Sequence, residues 1–364
     1  MSLIINDFIK SSDNLLDLNK FDLFKLLIDL RKYKISYLDK LSDQLDKYKF
    51  GIEIEFNNSD LEELSKLFNK NELNSYLNLN SFNSDFKFDK WCISYETAVS
   101  NKIRKINLSG FNGFETCCFG GEVISPILGN DIESFKNLKQ ICELLKESNA
   151  EIGNRCGLHY HVGIEHFNGD INKYNNFIKL WILFENVFYR IGCGEKNYIR
   201  EGCDEFFAPA RHILLDSFNY HTDDLEVFLN YMPKYKRRAI KFCNLYGDRF
   251  SKNTIENRVS NSSINPVIIQ NGLNVYLNTI NKGVTGDFNI DKIDYLVNKM
   301  KCYSTNNVSI DINLNDAMLC FDTIFDSNID KINALKQYVK NDTFNCFDNG
   351  KVNRKKISNI TNYM

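Results

Sequence analysis

Prolines are scarce: the 364 residues hold four, at positions 126, 209, 233 and 266. No stretch rich in Pro, Gly or Ser joins them, so the sequence offers no flexible linker and no internal repeat at which to divide it. Long apolar runs are missing too, since no segment approaches the roughly 20 residues of a membrane-spanning helix. The start, MSLIINDFIKSS, lacks the basic end, apolar centre and small-residue cleavage site of a secretory leader. The expected setting is cytoplasmic, with no membrane contact. An excess of charge of one sign is absent: 45 Lys and Arg stand against 47 Asp and Glu, a formal net charge of -2. No global basic field therefore draws the chain to nucleic acid, and no nucleic-acid partner is expected. The eleven cysteines are odd in number and contain no Cys-x-x-Cys pair, which speaks against a zinc ribbon or a disulfide framework and for reduced thiols.

What is present suffices for a large core, with 43% hydrophobic residues. Residues 1–47 read as a helical segment, with Phe21, Phe24, Leu27, Ile28 and Leu30 at three- and four-residue spacing. From Phe50 the period changes to two, giving expected strands over 51–56, 91–95, 122–125, 158–162 and 254–259, with helices over 131–148, 171–191 and 266–282 between them. Strands with helices inserted at irregular intervals predict an α+β fold on one mostly antiparallel sheet, with helices on one face. The last stretch, from about 290, reads as helical and ends in a basic cluster of Lys351, Arg354, Lys355 and Lys356. The expected division is a helical segment 1–47, a central domain 48–285 and a C-terminal helical extension 286–364.

Residues able to do chemistry fall on these expected strands. Glu53 and Glu55 lie two apart, so both leave one strand face about 7 Å from each other while Ile52, Ile54 and Phe56 fill the other. Sheltered from water, two such carboxylates repel by about 2.4 kcal/mol at an effective dielectric near 20, and a divalent cation is the natural remedy. A solvated outer face would account for this pair equally well. His159 and His161 repeat the geometry, with glycines on both sides that let a ligand come close, and offer neutral nitrogens to a metal or contacts to phosphate. Structurally satisfied histidines are the plainer alternative. Glu256 and Arg258 make a third pair, readable as a salt bridge or as a carboxylate ligand beside a phosphate-gripping guanidinium. Glu122, in Gly120-Gly-Glu-Val-Ile-Ser-Pro126, adds another strand carboxylate.

In their order and spacing, Phe50-Gly-Ile-Glu-Ile-Glu55, Gly120-Gly-Glu-Val-Ile-Ser-Pro126, Cys156-Gly-Leu-His-Tyr-His-Val162 and Thr254-Ile-Glu-Asn-Arg258 resemble the successive motifs of the amidoligases, carboxylate-amine ligases of the glutamine synthetase fold. The resemblance spans roughly 48–285. It implies a curved sheet of glutamine-synthetase-like type and a reaction that uses ATP and Mg²⁺ or Mn²⁺. In that reaction a substrate carboxylate becomes an acyl phosphate, and an amine displaces phosphate to leave an amide. It also assigns roles. Glu53, Glu55, Glu122, His159 and Glu256 match metal-binding positions, and Arg258 matches an arginine near the transferred phosphate. His161, Arg200, Arg237 and Arg238 are candidates for nucleotide or phosphate contact, and Glu185, within an apolar helix, for contact with substrate. Partners would be an amine and a carboxylate, one of which can be a peptide or protein drawn by the terminal segments.

The chain departs from that pattern twice. Glu96-Thr-Ala-Val follows the tryptophan strand where an Asp-Gly-Ser-like turn is expected, and Asn257 stands between Glu256 and Arg258 where a core-facing apolar residue is usual. Two other classes remain open at this level: a metal-dependent hydrolase using the same histidines and carboxylates, and a non-catalytic binding protein of the same fold. A thiol mechanism through Cys156 and His159 is disfavoured, because residues three apart on a strand leave opposite faces.

Overall fold

Strand β1 (Phe50–Asp60) runs through the middle of an eight-stranded sheet and has a residue-by-residue neighbour on each side. The computed structural model describes residues 3–79, 89–96, 98–99, 101–106, 114–196, 198–217, 222, 224–233, 237–243, 253–300, 310, 312–340, 343–348 and 351–356. Ahead of β1 lie α1 (Leu3–Lys10) and α2 (Lys20–Leu30). After it come α3 (Leu61–Lys70), β2 (Ser75–Asn78), β3 (Trp91–Ser94), β4 (Asn101–Ile106), β5 (Phe114–Ile124), α4 (Ile132–Glu147), β6 (Gly157–Gly163) and the long α5 (Ile171–Gly192). The short helices α6 (Cys203–Phe206), α7 (Arg211–Ser217) and α8 (Leu225–Asn230) lead to β7 (Ile240–Cys243), β8 (Thr254–Asn261) and α9 (Pro266–Thr285). The chain continues through α10 (Ile290–Met300), α11 (Leu314–Ile324) and α12 (Asn328–Val339) to a hairpin of β9 (Thr343–Asp348) and β10 (Lys351–Lys356).

The sheet order is β2-β3-β5-β1-β6-β8-β7, with β4 on the far stretch of β5. Among the described pairings only β2 with β3 is parallel. The expected α+β architecture on a mostly antiparallel sheet is therefore what forms. One face is apolar: Ile52, Ile54 and Phe56 of β1, Leu158, Tyr160 and Val162 of β6 and Ile255 of β8 are all buried. Helices α5 and α9 cover it and pack on each other. Two tyrosines tie sheet to helix, with Tyr160 Oη donating to the Ile269 carbonyl at 2.9 Å and Tyr276 Oη to the Ile255 carbonyl at 3.0 Å.

Behind α5 and α9 the terminal segments form a further layer, in which α12 packs on α9, α10 and α11 on α5, and α1 on α12. The seam is largely polar: Asn274 donates to Asp330 and Asn271 to Gln337, each at 2.7 Å. These helices thus sit on the side away from the polar sheet face.

Two terminal expectations need correction. Residues 31–47 are largely irregular rather than helical, because side chains of the central domain take their backbone groups: Leu38 N–H donates to Gln270 and Leu41 N–H to Asn130, each at 2.8 Å. The C-terminal stretch is helical only to Val339, and the basic cluster lies on β10. The alternation of Thr-Phe-Asn-Cys-Phe-Asp followed by Asn-Gly is a hairpin signal in the sequence itself.

Candidate metal centre

Register assembles the polar face. Across β1, Glu53 stands opposite His159 of β6 and Ile124 of β5, while Glu55 stands opposite Glu122. Across β6, His161 stands opposite Gly51 on one side and Glu256 of β8 on the other, and Glu256 faces Lys241 of β7. Directly opposed residues share a face, so Glu122, Glu55, Glu53, His159, His161, Glu256 and Lys241 form one belt across five strands.

Within the belt Glu53, His159 and Glu256 are buried and bring one donor atom each within 4.8 Å of the others. His159 Nδ1 is 3.0 Å from Glu53 Oε2 and 3.8 Å from Glu256 Oε1, and its Nε2 is 3.8 Å from Glu55 Oε1. His161 Nε2 lies 3.0 Å from Glu53 Oε1 and 4.0 Å from Glu256 Oε1, with Nδ1 3.3 Å from Thr254 Oγ1. Both Nε2 atoms are buried without an aligned hydrogen bond, His161 Nε2 despite its 3.0 Å approach to Glu53 Oε1. Buried polar atoms are normally paired, and unpaired imidazole nitrogens converging on carboxylates suit a divalent cation. Two carboxylates and an imidazole are a donor set that could hold such an ion.

Two guanidiniums close one end of the belt. Strand β8 carries a bulge opposite His159, where the register shifts between Leu158 and Tyr160. Asn257 Oδ1 accepts the Val259 N–H at 3.0 Å and so satisfies a donor in the bulge. The unusual Asn257 thereby has a physical reason, and Arg258 stays on the belt face, where its Nη1 is bonded to Glu256. Arg258 Nε reaches the Phe206 carbonyl at 3.3 Å. Arg200, 4% exposed, donates to the Arg258 carbonyl at 2.8 Å and lies 3.7 Å from Glu55 Oε2, with the Phe207 ring 4.2 Å beneath it. Glu55 in turn accepts the Gly157 N–H at 2.5 Å.

The electrostatics follow from this packing. Burial, with Arg258 close by, pushes His159 down to about 3, so the imidazole is neutral and ready as a ligand near pH 7. Burial also works to raise Glu256, but facing His161 and Arg258 outweigh it and hold the carboxyl below its ordinary range. Glu55 is raised by burial, against the pull of Arg200 and the Gly157 N–H. Burial brings Arg200 down to about 10, which leaves it charged at neutral pH.

Other sequence candidates are distributed unevenly. Glu122 is half-buried on the belt beside Glu55, outside the tight triad. Arg237 is exposed, its carbonyl accepting the Ala208 N–H at 3.0 Å; Arg238 pairs with Ala208 in an isolated bridge, and its Nη1 reaches the Pro209 carbonyl at 3.5 Å. Among the described residues neither touches the carboxylates. Glu185 is 1% exposed and points away from solvent, accepting from Trp181 Nε1 at 3.0 Å, Ala210 N at 2.8 Å and Arg211 N at 3.2 Å. These bonds pin the segment that follows Phe206 and Phe207 to α5. Cys156 Sγ is 2.9 Å from Asn57 Oδ1. Glu96 accepts the Ala98 N–H at 3.0 Å, which rebuilds the departing turn, and its charge acts on Glu55.

Lys241 was not among the sequence candidates, although its Nζ lies 3.7 Å from Glu256 Oε2. A lysine alternating with Ile240 and Phe242 was the available signal.

No curated protein matches this chain. The family model described as "putative amidoligase enzyme" matches residues 46–277, more than half of the chain and the whole span from β1 to β8 that builds the belt. The protein belongs to the amidoligase family.

Proposed function

We propose that the protein is an ATP- and Mg²⁺-dependent carboxylate-amine ligase that forms an amide through an acyl phosphate. The observation that carries this reading is the placing of two buried guanidiniums, Arg200 and Arg258, against a buried Glu53-His159-Glu256 triad on one face, in a chain of this family. A hydrolase that only activates water has no use for such an anion receptor. A cation held by the triad would neutralise charge between a triphosphate and the belt carboxylates.

In this reading Arg200 and Arg258 grip phosphoryl oxygens bidentately. A substrate carboxylate oxygen attacks the γ-phosphorus, and the bond to the β–γ bridging oxygen breaks with ADP as leaving group. The amine lone pair then attacks the acyl carbon, the carbon–oxygen bond to phosphate breaks, and the nitrogen gives up a proton. The net products are amide, ADP, phosphate and a proton. The neutral His159 keeps its nitrogen available as a ligand, and the Arg258–Glu256 pair holds the guanidinium on the belt. The amine or the carboxylate can belong to a free amino acid or to a peptide. The terminal helices, which pack behind α5 and α9, give no support for a role at the belt.

The test is calorimetric titration of ATP with Mg²⁺ or Mn²⁺ and with chelator. Binding only with the metal is the expected result. Equal affinity without metal would reject the bridging role of the triad, and metal binding with no nucleotide binding would favour the hydrolase.

A further inference from the structure

Strand β6 presents four positions to the belt face: Gly157, His159, His161 and Gly163, by the two-residue alternation of a strand. Both glycines are occupied from above. A Cβ on Gly157 would collide with the Arg200 guanidinium, and a Cβ on Gly163 would collide with the Glu165 carboxylate. Along about 20 Å of strand the face therefore reads cation, imidazole, imidazole, anion. The site has an electrical direction: phosphate is attracted to the Arg200 end, and a cation to the Glu165 end.

At the Glu165 end lies a hollow of about 380 Å³ that reaches Glu53 and His161. Its floor is Gly51, which stands opposite His161 on the same face. One wall is Glu165; the other is apolar, formed by Ile124, Pro126 and Ile127, with Ile127 61% exposed. Glu165 and Lys49 are both exposed at the rim. The hollow thus sets carboxylates against an apolar wall, a lining suited to a ligand with a charged end and a hydrocarbon body.

We propose that this hollow is the subsite of the amine substrate, and that it takes a primary aliphatic ammonium whose charged end faces Glu53 and Glu165 and whose hydrocarbon body lies along Ile124, Pro126 and Ile127. The inference rests on the ligase reading for its role in the reaction, but its occupancy stands on the hollow alone. Phosphate and amine then approach the triad from opposite ends of β6, so that each has its own counter-charge and the two do not compete for one subsite.

The test uses n-hexylamine as probe, with hexanoate and hexanol as controls, by calorimetry and saturation-transfer NMR on the full chain. Gly51→Val fills the floor; a Cβ there would meet only Ser125 Oγ at 3.6 Å and His161 Cβ at 3.8 Å, ordinary contacts, and circular dichroism checks that the added methyl groups leave the fold intact. Glu165→Gln removes the anion and keeps the size. Hexylamine should bind the wild type at least about tenfold more tightly than either control. Each variant should weaken it by about tenfold or more, with Mn²⁺-ATP affinity unchanged. Hexylamine affinity unaltered in both variants, or hexanoate binding as tightly through Lys49, would overturn the proposal. Loss of Mn²⁺-ATP affinity in Gly51→Val would overturn it by assigning the hollow to the nucleotide. Failure of the wild type to bind Mn²⁺-ATP would instead reject the ligase role, while hexylamine binding would still decide whether the hollow holds an amine.

Discussion

Arg200 lies where a side chain of Gly157 would be, with its guanidinium 3.7 Å from Glu55 and donating to the Arg258 carbonyl at 2.8 Å. The glycine is thus a steric requirement of the site rather than of a turn. It brings a cation from the segment after α5 onto the sheet face, next to Arg258 of β8.

Gly157→Ala should expel Arg200 from the belt. Loss of one positioned phosphate donor is expected to lower kcat by about 100-fold, and loss of the buried hydrogen bond to cost about 1–3 kcal/mol of stability. Turnover and urea unfolding of the variant check both. Wild-type kcat would mean that Arg200 is merely packed under Phe207.

Glu53→Gln, His159→Ala and Glu256→Gln should each weaken Mn²⁺ binding and lower turnover by about 100-fold or more, roughly 3 kcal/mol. Glu256→Gln carries an extra cost, since it leaves Arg258 buried without its carboxylate. Cys156→Ser should change turnover far less, because the thiol is engaged with Asn57. Metal titration by calorimetry, with a circular-dichroism check of folding, separates the effects. Full Mn²⁺ affinity in all three ligand variants would remove the triad as the metal site.

The bulge in β8 gives a subtler handle. Asn257→Leu should leave the Val259 N–H unsatisfied, destabilise the protein by about 1–3 kcal/mol and let Arg258 drift from Glu256. Asn257→Ser can make the same local bond more weakly and should recover part of both losses. Activity and stability measured on the pair test this; equal behaviour of Leu and Ser would leave Asn257 without a role in holding the arginine.

Much of the belt was legible because a strand declares its faces. Glu53, Glu55, His159, His161, Glu256 and Arg258 all come in period-two pairs, and pairing in register then makes neighbours of residues as far apart in sequence as Glu53 and His159, or His161 and Glu256. Arg200 was reached only through resemblance, since nothing in its local sequence says that it will lean over Gly157. Lys241, Glu165 and Gly51 carry no pattern beyond their own strands and loops, and their relation to the site exists only once β6 has neighbours. For Glu185 the sequence leaves a substrate contact and a water-facing carboxylate open, and neither shows the N–H groups of Ala210 and Arg211 that meet the buried carboxylate. The irregular 31–47 segment failed differently, because its apolar spacing is helical while Gln270 and Asn130 hold its backbone.

Glu185 also sets a pH dependence. Burial raises its pKa above the ordinary 4.5, only partly offset by Arg211 and by the N–H groups of Ala210, Trp181 and Arg211. Between the ordinary value and the raised one the folded protein therefore binds more protons than the unfolded chain. Stability contributed by this group must then fall as pH rises through that window and level off above the raised value. Glu185→Gln removes the slope. The stability of the wild type relative to Glu185→Gln should decline as the pH is raised above the ordinary 4.5 and level off once the raised value is passed, measured by urea unfolding at each pH. A gap that widened with pH would show the ionised carboxylate to be the favoured form, and Glu185 would then act as an ion-pair anchor for Arg211 rather than as a protonated cap on the segment that follows Phe206 and Phe207.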